Sequence, residues 1–469
     1  MKQVSEQTYQ SWYRWIIFTV VVSGTFMVNV DSSIMNVALP VLEKDFHTTP
    51  QVLQWVISAY LLMITGILPI IGTLSDRLDR KTVFLTGIGI FTFGSLLCAF
   101  SESILQLIVF RIFQSIGGAI IMGNVMSIVS YIFPSGERGR PLGLVGSVVA
   151  AGTIVGPSLG GFLISSFGWR SVFLVNLPIG AISFIAIIFV LMSIRSNQAK
   201  NSFDVIGASL YFLAIICLLL FMSEGSTWGW DSLVSFVTIT ISIISFLFLI
   251  RREISIEHPI IQISLFRSSA FSIGNFTGYI SYIMMMFPGI LLPLYMHQVL
   301  HISESHIGFL LTPQAVCMIL FSPIGGWLAD KYGTHGPAMI GLLFATLGLG
   351  FMSMFHIHTS YLNIVIALSL FGIGIGLFTS PNNVAVLESA PLEKSGITGS
   401  LMATVRNFGR VSGVALSVLF LQLSGNHLYT TQGFIHATSF SFTMGFFIGI
   451  LGILLTLIRL IIQRKLRAL

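Results

Sequence analysis

The 469-residue sequence predicts an all-α polytopic membrane protein of fourteen spans, and three observations carry that prediction. Its residues are 54% hydrophobic and only 9% charged, a balance that no water-exposed fold can hide and that repeated bilayer crossings, at about 20 apolar residues each, require. Its basic residues alternate between loops. Two stretches of sequence recur in the same order, 254 and 256 residues further on.

Apolar runs mark the spans at 15–40, 51–71, 82–100, 103–126, 141–166, 171–194, 204–223, 233–250, 270–298, 306–326, 337–356, 360–385, 397–424 and 440–462. The leading "MKQVSEQTYQSWYR" has no small-residue cleavage site, and the run after it is too long for a signal-peptide core, so the N-terminus is expected to be retained. Cys98, Cys217 and Cys317 lie inside apolar runs without CxxC spacing and read as small hydrophobes, with neither a disulfide nor a metal site indicated. An even number of spans puts both termini on one side. Of the 23 Lys and Arg, 18 fall in or next to the loops of that side (among them Lys2, Arg195, Lys200 and Arg459), Lys44 and Arg170 fall opposite, and three lie within spans. The positive-inside rule then makes both ends cytoplasmic. The net charge of +6 reflects topology and phospholipid headgroups; scattered over short loops, it does not argue for nucleic acid, and no nucleic-acid partner is expected.

The repeat organises the spans. "GTLSDRLDRK" (72–81) recurs in degraded form as "GWLADKYGTH" (326–335), and "ERGRPLGLVGSV" (137–148) as "EKSGITGSLMAT" (393–404). Two six-helix units in the same orientation, residues 1–194 and 270–469, separated by an inserted helix pair within 195–269, account for both offsets. Parallel six-helix repeats around a midplane substrate site are the plan of the major facilitator fold.

Five motifs in order carry a closer resemblance over essentially the whole chain: "NVDSSIMNVALP" with Asp31 in the first span; "GTLSDRLDRK" with Gly72, Asp76, Arg77, Arg80 and Lys81; "FRIFQSIGGA" with Arg111, Gln114 and Gly117; "GTIVGPSLGGFL" with Gly152, Gly156, Pro157, Gly160 and Gly161; and "WRSVFLVNLP" after it. The sequence resembles the drug:proton antiporter family with 14 spans, within the major facilitator superfamily. That resemblance implies a transporter of the bacterial cytoplasmic membrane, not an enzyme. It would exchange protons for structurally diverse lipophilic drugs, such as dyes and zwitterionic or cationic antimicrobials like the fluoroquinolones. Export of a single metabolite, lipid precursor or signalling nucleotide is the alternative. A monomer is expected, with membrane lipids around it and no cofactor. The sequence departs from the family pattern at Asp79, where the loop motif usually has Gly, and at Arg406 and Arg410 in span 13, where members specialised for quaternary ammonium cations tend to carry carboxylates.

The residues support roles of their own. A carboxylate inside a bilayer costs about 2.5–3.5 kcal/mol on insertion scales, so Asp31 is expected either to face an internal cavity and exchange a proton there or to be satisfied by a permanent partner. Arg111, always charged, either pairs with Asp31 or hydrogen-bonds carbonyls of the first span. Asp76 either caps the third span or meets the positive end of a helix from the other half, forming a cytoplasmic gate with Gly72, Arg77 and Arg80, while Lys81 reads as a headgroup anchor. Gly152, Gly156 and Gly160 form a stripe one turn apart and, with Pro157, predict a kinked fifth span packed on the other half, or ordinary small-residue packing. "YISYIMMMF" supplies Tyr279, Tyr282 and Met285 as adaptable lining, to which Trp55, Tyr60, Gln114, Asn382 and Asn383 are added. Arg406 either sets the charge preference of the cavity or ties its helix to neighbouring carbonyls. His297, His301 and His306 lack the partners a metal site needs, no P-loop occurs, and the basic tail 459–469 suits an anionic leaflet. Energy must then come from an ion gradient. One proton crossing at about 180 mV releases roughly 4 kcal/mol, enough for about a thousandfold gradient of a neutral compound.

Overall fold

A computed structural model describes residues 11–191, 203–256, 259–424 and 430–468. Lys2, Arg195, Lys200 and the side chains of the tail from 463 onward lie outside what it describes. The long helices are α1 (Ser11–Phe46), α2 (Pro50–Ser75), α3 (Arg80–Ala99), α4 (Ile104–Ile132) and α5 (Gly139–Phe167). A one-turn α6 (Ser171–Leu174) precedes α7 (Asn176–Val190), and the inserted pair is α8 (Val205–Trp228) and α9 (Leu233–Ser255). The second half contributes α10 (Ser269–Gln298), α11 (Glu304–Tyr332), α12 (His335–Met352), α13 (Tyr361–Glu388), α14 (Ser395–Leu423) and α15 (Thr431–Ala468).

Among the described residues, thirteen segments are long and apolar enough to cross a membrane. They coincide with the predicted spans except the thirteenth, α14, which has the length but too many Ser, Thr, Gly and Arg residues. The predicted sixth span is one crossing, Ser171–Val190, with its hydrogen bonding interrupted for one residue: Pro178 has no N–H to donate to the carbonyl of Leu174, so the ladder lapses at Val175, whose backbone stays right-handed helical, and resumes at Asn176. Two further corrections concern charge. Arg459, assigned above to a loop, is only 3% exposed, and α8 runs past the predicted end of span 7 to include Glu224, 8% exposed.

The helices pack as two compact units. The first comprises residues 1–135, 148–263 and 390–404, and so takes in the inserted pair and the first turns of α14. Its core gathers Ile34, Met35, Leu42, Val56, Leu107 and Phe173. The second comprises 136–147, 264–389 and 405–469, with Phe287, Tyr295, Leu342, Phe371 and Phe442 at its centre. On the first unit, Phe236, Leu247 and Phe248 of α9 are exposed, as a helix facing lipid requires.

Glycines set the closest helix crossings, and they repeat. On α4, a Cβ at Gly117 would lie 2.7 Å from Phe91 Cα and from the Gly87 carbonyl oxygen; on α3, one at Gly94 would lie 2.7 Å from Gln114 Cα. In the second unit the same crossing joins α12 to α13: a Cβ at Gly341 would lie 2.7 Å from the Gly374 oxygen, and one at Gly348 would lie 3.0 Å from Phe371 Cα. Gly87, Gly94 and Gly117 have their counterparts 254, 254 and 257 residues later. The crossing without side chains between the helices is thus a property of the repeat.

Gly117→Ala should force α3 and α4 apart and destabilise the protein by about 1–3 kcal/mol, the usual range for overpacking. Gly161→Ala, where a Cβ meets nothing within 4 Å, should be neutral. Thermal unfolding of the two variants in one detergent checks the pair; equal Tm values would contradict the crossing.

Candidate functional site

The α3–α4 crossing brings Ser95 and Gln114 together, and α1 presents Asp31 to them. Asp31 is fully buried, as are Arg111, Gln114 and Asn176. Arg111 Nη1 donates to Asp31 Oδ2 at 2.5 Å, while Gln114 Nε2 and Asn176 Nδ2 donate to Oδ1 at 3.0 and 2.8 Å. Arg111 also donates to Gln114 Oε1 at 2.7 Å and, through Nε, to the Val56 carbonyl at 3.4 Å; its guanidinium carbon lies 4.0 Å from the centre of the Tyr60 ring. Gln114 Nε2 donates to Ser95 Oγ at 2.7 Å. Asp31 therefore does not face an open cavity. Each of its oxygens has a donor, and the pair is charge-compensated, which is what a carboxylate and a guanidinium in apolar surroundings require. Of the two alternatives for Arg111, the structure takes pairing with Asp31, and its backbone contact is to α2.

The loop motif resolves into two caps. Asp79 accepts from Thr82 N at 3.2 Å and Thr82 Oγ1 at 2.8 Å, and so caps α3. Asp76 is thereby free for α14: Oδ1 accepts from Gly396 N at 2.7 Å and Oδ2 from Ile397 N at 2.8 Å, in the first turn of that helix. Arg80, 1% exposed, bonds Asp76 at 2.7 Å and Ser395 Oγ at 3.2 Å, and its guanidinium lies 3.9 Å from the centre of the Tyr131 ring. Burial pushes the Asp76 carboxyl above the ordinary carboxylate range, against the opposing pull of Arg80 and the two amides. Gly72 admits this contact, since a Cβ there would lie 2.7 Å from the Gly396 oxygen. Arg77 lies 5.6 Å from the Phe203 ring centre, and Lys81 donates to the Ile188 carbonyl at 2.6 Å, so its bond is to the end of α7.

The second unit mirrors this cap with a residue that the sequence analysis missed. Asp330 on α11 accepts from Gly139 N at 2.7 Å and Arg140 N at 3.0 Å, at the start of α5. Its signal was the "GWLADKYGTH" repeat, in which Asp330 occupies the place of Asp76. Asn176 was missed as well. Its signal was Pro178 two residues on, which starts α7 where the amide can reach Asp31.

The glycine stripe of α5 packs on α1. A Cβ at Gly152 would lie 2.9 Å from Asn29 Cβ, one at Gly156 would lie 3.1 Å from Ile34 N, and one at Gly160 would collide with Ile34 Cγ1. The expected packing on the other half is made by different glycines of α5: a Cβ at Gly143 would lie 2.8 Å from Pro323 Cα. Pro157 sits within a continuous α5.

The expected lining residues divide. Tyr60 and Gln114 belong to the sealed Asp31 cluster. Asn382 is a tie: Nδ2 donates to the Gly274 carbonyl at 2.9 Å, and Oδ1 accepts from Thr277 at 3.3 Å and Arg459 Nη1 at 3.4 Å. Trp55, Tyr282, Met285 and Asn383 are half-buried. Tyr279 stacks on Phe408 with centroids 5.6 Å apart and donates to Ser412 Oγ at 2.8 Å. Arg406 and Arg410 are half-buried on α14.

Known proteins fit this geometry. The profile of the Major Facilitator Superfamily matches residues 21–414 and, a second time, 274–467. The riboflavin transporter RibZ of Clostridioides difficile is 35% identical over 94% of this chain and 97% of its own. The multidrug transporter protein MdtP of Bacillus subtilis is 30% identical over 89% of this chain and 77% of its own. The crystal structure of the human organic anion transporter MFSD10 (TETRAN) superposes with a TM-score of 0.67 at 15% identity, covering 94% of this chain and 99% of that one, a likeness of fold alone. With its repeated six-helix plan, two mirrored helix caps and a buried charge pair, this multi-pass membrane protein belongs to the major facilitator superfamily of transporters.

Proposed function

We propose that the protein is a proton-coupled antiporter that exports structurally diverse lipophilic compounds across the bacterial cytoplasmic membrane, with both termini in the cytoplasm. The observation that carries this reading is the sealed Asp31–Arg111 pair, held by Gln114, Asn176 and Tyr60. Ionisable groups inside a bilayer are costly and mark ion pathways, substrate sites or proton relays, and we assign this cluster to the last of these. A proton on Asp31 would release Arg111, and loss of that proton would reclaim it, giving the site two arrangements that a gradient can drive. To the gate we assign Asp76 with Arg80 on α14, and Asp330 on α5, since each carboxylate holds the N-terminus of a helix encoded in the other sequence half. The multidrug name of the Bacillus subtilis relative agrees with broad export. A second reading, transport of one flavin-like metabolite, is favoured by the riboflavin transporter that matches this chain nearly end to end.

Proteoliposomes with imposed ΔpH and Δψ, loaded with a panel of dyes, fluoroquinolones and riboflavin, test the proposal. Broad ΔpH-driven flux supports export of many compounds; flux of riboflavin alone moves the protein to the second reading. In the same vesicles Asp31→Asn should reduce ΔpH-driven flux to the level of empty vesicles, with flux normalised to the folded protein reconstituted, and should lower Tm because Arg111 loses its buried counter-charge. Full flux by this variant removes Asp31 from coupling.

Asp76→Asn replaces one of two anionic acceptors with an amide N–H facing the α14 amides, a loss of about 1–2 kcal/mol for a helix cap. We expect several-fold slower turnover with little change in substrate affinity, and faster labelling of single cysteines from the cytoplasmic side. Unchanged labelling rates would remove the gate role.

A further inference from the structure

We infer that Arg406 and Arg410 form a recognition site for the anionic group of an aromatic substrate, a carboxylate above all. The inference deepens the export function proposed above by naming its substrate class. By the rise of 1.5 Å per residue, Arg406 stands about 16 Å and Arg410 about 22 Å from the start of α14, a helix of about 43 Å, so both charges lie near the middle of a membrane-length element. They are one turn apart and therefore repel each other.

What sets these half-buried arginines apart from Arg111 and Arg80 is the absence of a carboxylate partner. Arg111 holds Asp31, and Arg80 holds Asp76. Neither Arg406 nor Arg410 makes a salt bridge or a hydrogen bond to any described residue, and the Nε of each is shut off from solvent without an acceptor. Two guanidiniums without a protein partner at this depth leave donors that an incoming acceptor can satisfy, and the planar fork of Arg suits a carboxylate. A structural tie to neighbouring carbonyls, the alternative raised by the sequence, is not made.

The surroundings give the rest of the ligand. Tyr282 of α10 lies against Gly409, between the two arginines in sequence, while the Tyr279–Phe408 stack occupies another face of α14, Phe408 and Ser412 standing about 200–240° around the helix from Arg406. An aromatic wall next to two cations favours a flat ring that carries negative charge. The charge balance points the same way. In the first unit Asp31 and Arg111 cancel, so Asp31 offers no net attraction for a cation, whereas the described neighbours of Arg406 and Arg410 supply no cancelling carboxylate.

Equilibrium binding to purified protein in nanodiscs tests this with three probes sharing one ring: pyrene-1-carboxylate, its methyl ester and 1-pyrenemethylammonium, each corrected with empty nanodiscs. The carboxylate should bind about tenfold or more tighter than the ester and the ammonium, the scale of a hydrogen bond to a charged group. Arg406→Gln and Arg410→Gln should each erase most of that preference without changing the Kd of the ester, and Arg410→Lys should retain part of it. Equal affinity of the parent protein for acid and ester overturns the inference without needing any variant to fold. So does a parallel loss of all three probes in the glutamine variants. Asp31→Asn should keep the carboxylate preference in this assay, which involves no proton gradient; failure of coupled transport therefore leaves the recognition site standing, and the reverse holds equally.

Discussion

A carboxylate and a guanidinium that have left water must be held by each other and by the protein, and the first unit is arranged around that requirement. Asp31 and Arg111 come from α1 and α4, which no local sequence relation joins. They meet because α3 and α4 cross on glycines, which sets Gln114 beside Ser95, and because Pro178 restarts a helix at Asn176. Opening one of these contacts strands a donor or an acceptor where no solvent replaces it. The cluster is thus cooperative, and its members change together.

The second unit has the same backbone crossing with a different filling. About one repeat after Ser95, Arg111 and Gln114 stand Leu349, Leu368 and Phe371, all fully buried in an apolar core. One repeat holds the buried charge cluster and the other fills the equivalent volume with apolar packing. The caps, by contrast, are kept in both, since Asp76 and Asp330 each hold the amino end of a helix belonging to the other sequence half. Symmetry is preserved where the two halves must exchange equivalent contacts and abandoned where chemistry needs only one copy.

Much of this was legible in the sequence. Apolar runs placed the helices to within about six residues at each end except the start of α15, which comes nine residues earlier than expected, and Asp31 and Arg111 stood out as rare charges within them. Partnership was harder to read. A polar residue in an apolar run looks the same whether it faces a cavity or a buried neighbour, and so Asn382 was assigned to lining although Arg459 and Gly274 occupy it. Arg459 itself, close to a helix end, had the pattern of a loop cation. Asp76 had two plausible caps within reach, and only the three-dimensional course of α14 shows that Asp79 serves one and Asp76 the other. Glycine stripes have the same ambiguity, because spacing fixes the face of a helix but not which neighbour lies against it.

The boundaries of the two compact units bear on how the chain acquires its structure during synthesis. The first unit includes residues 390–404, and the second includes residues 136–147. When α1 to α9 have left the ribosome, Asp76 and Gly72 still await a helix encoded more than 300 residues downstream. Early membrane-inserted intermediates therefore hold an uncapped carboxylate and an unfilled glycine groove, and the first bundle reaches its final packing only after most of the second has been translated. Such long-range closure makes assembly slow compared with insertion of the individual helices. It also means that a truncated first half is an unfinished object, short of the segment that completes it.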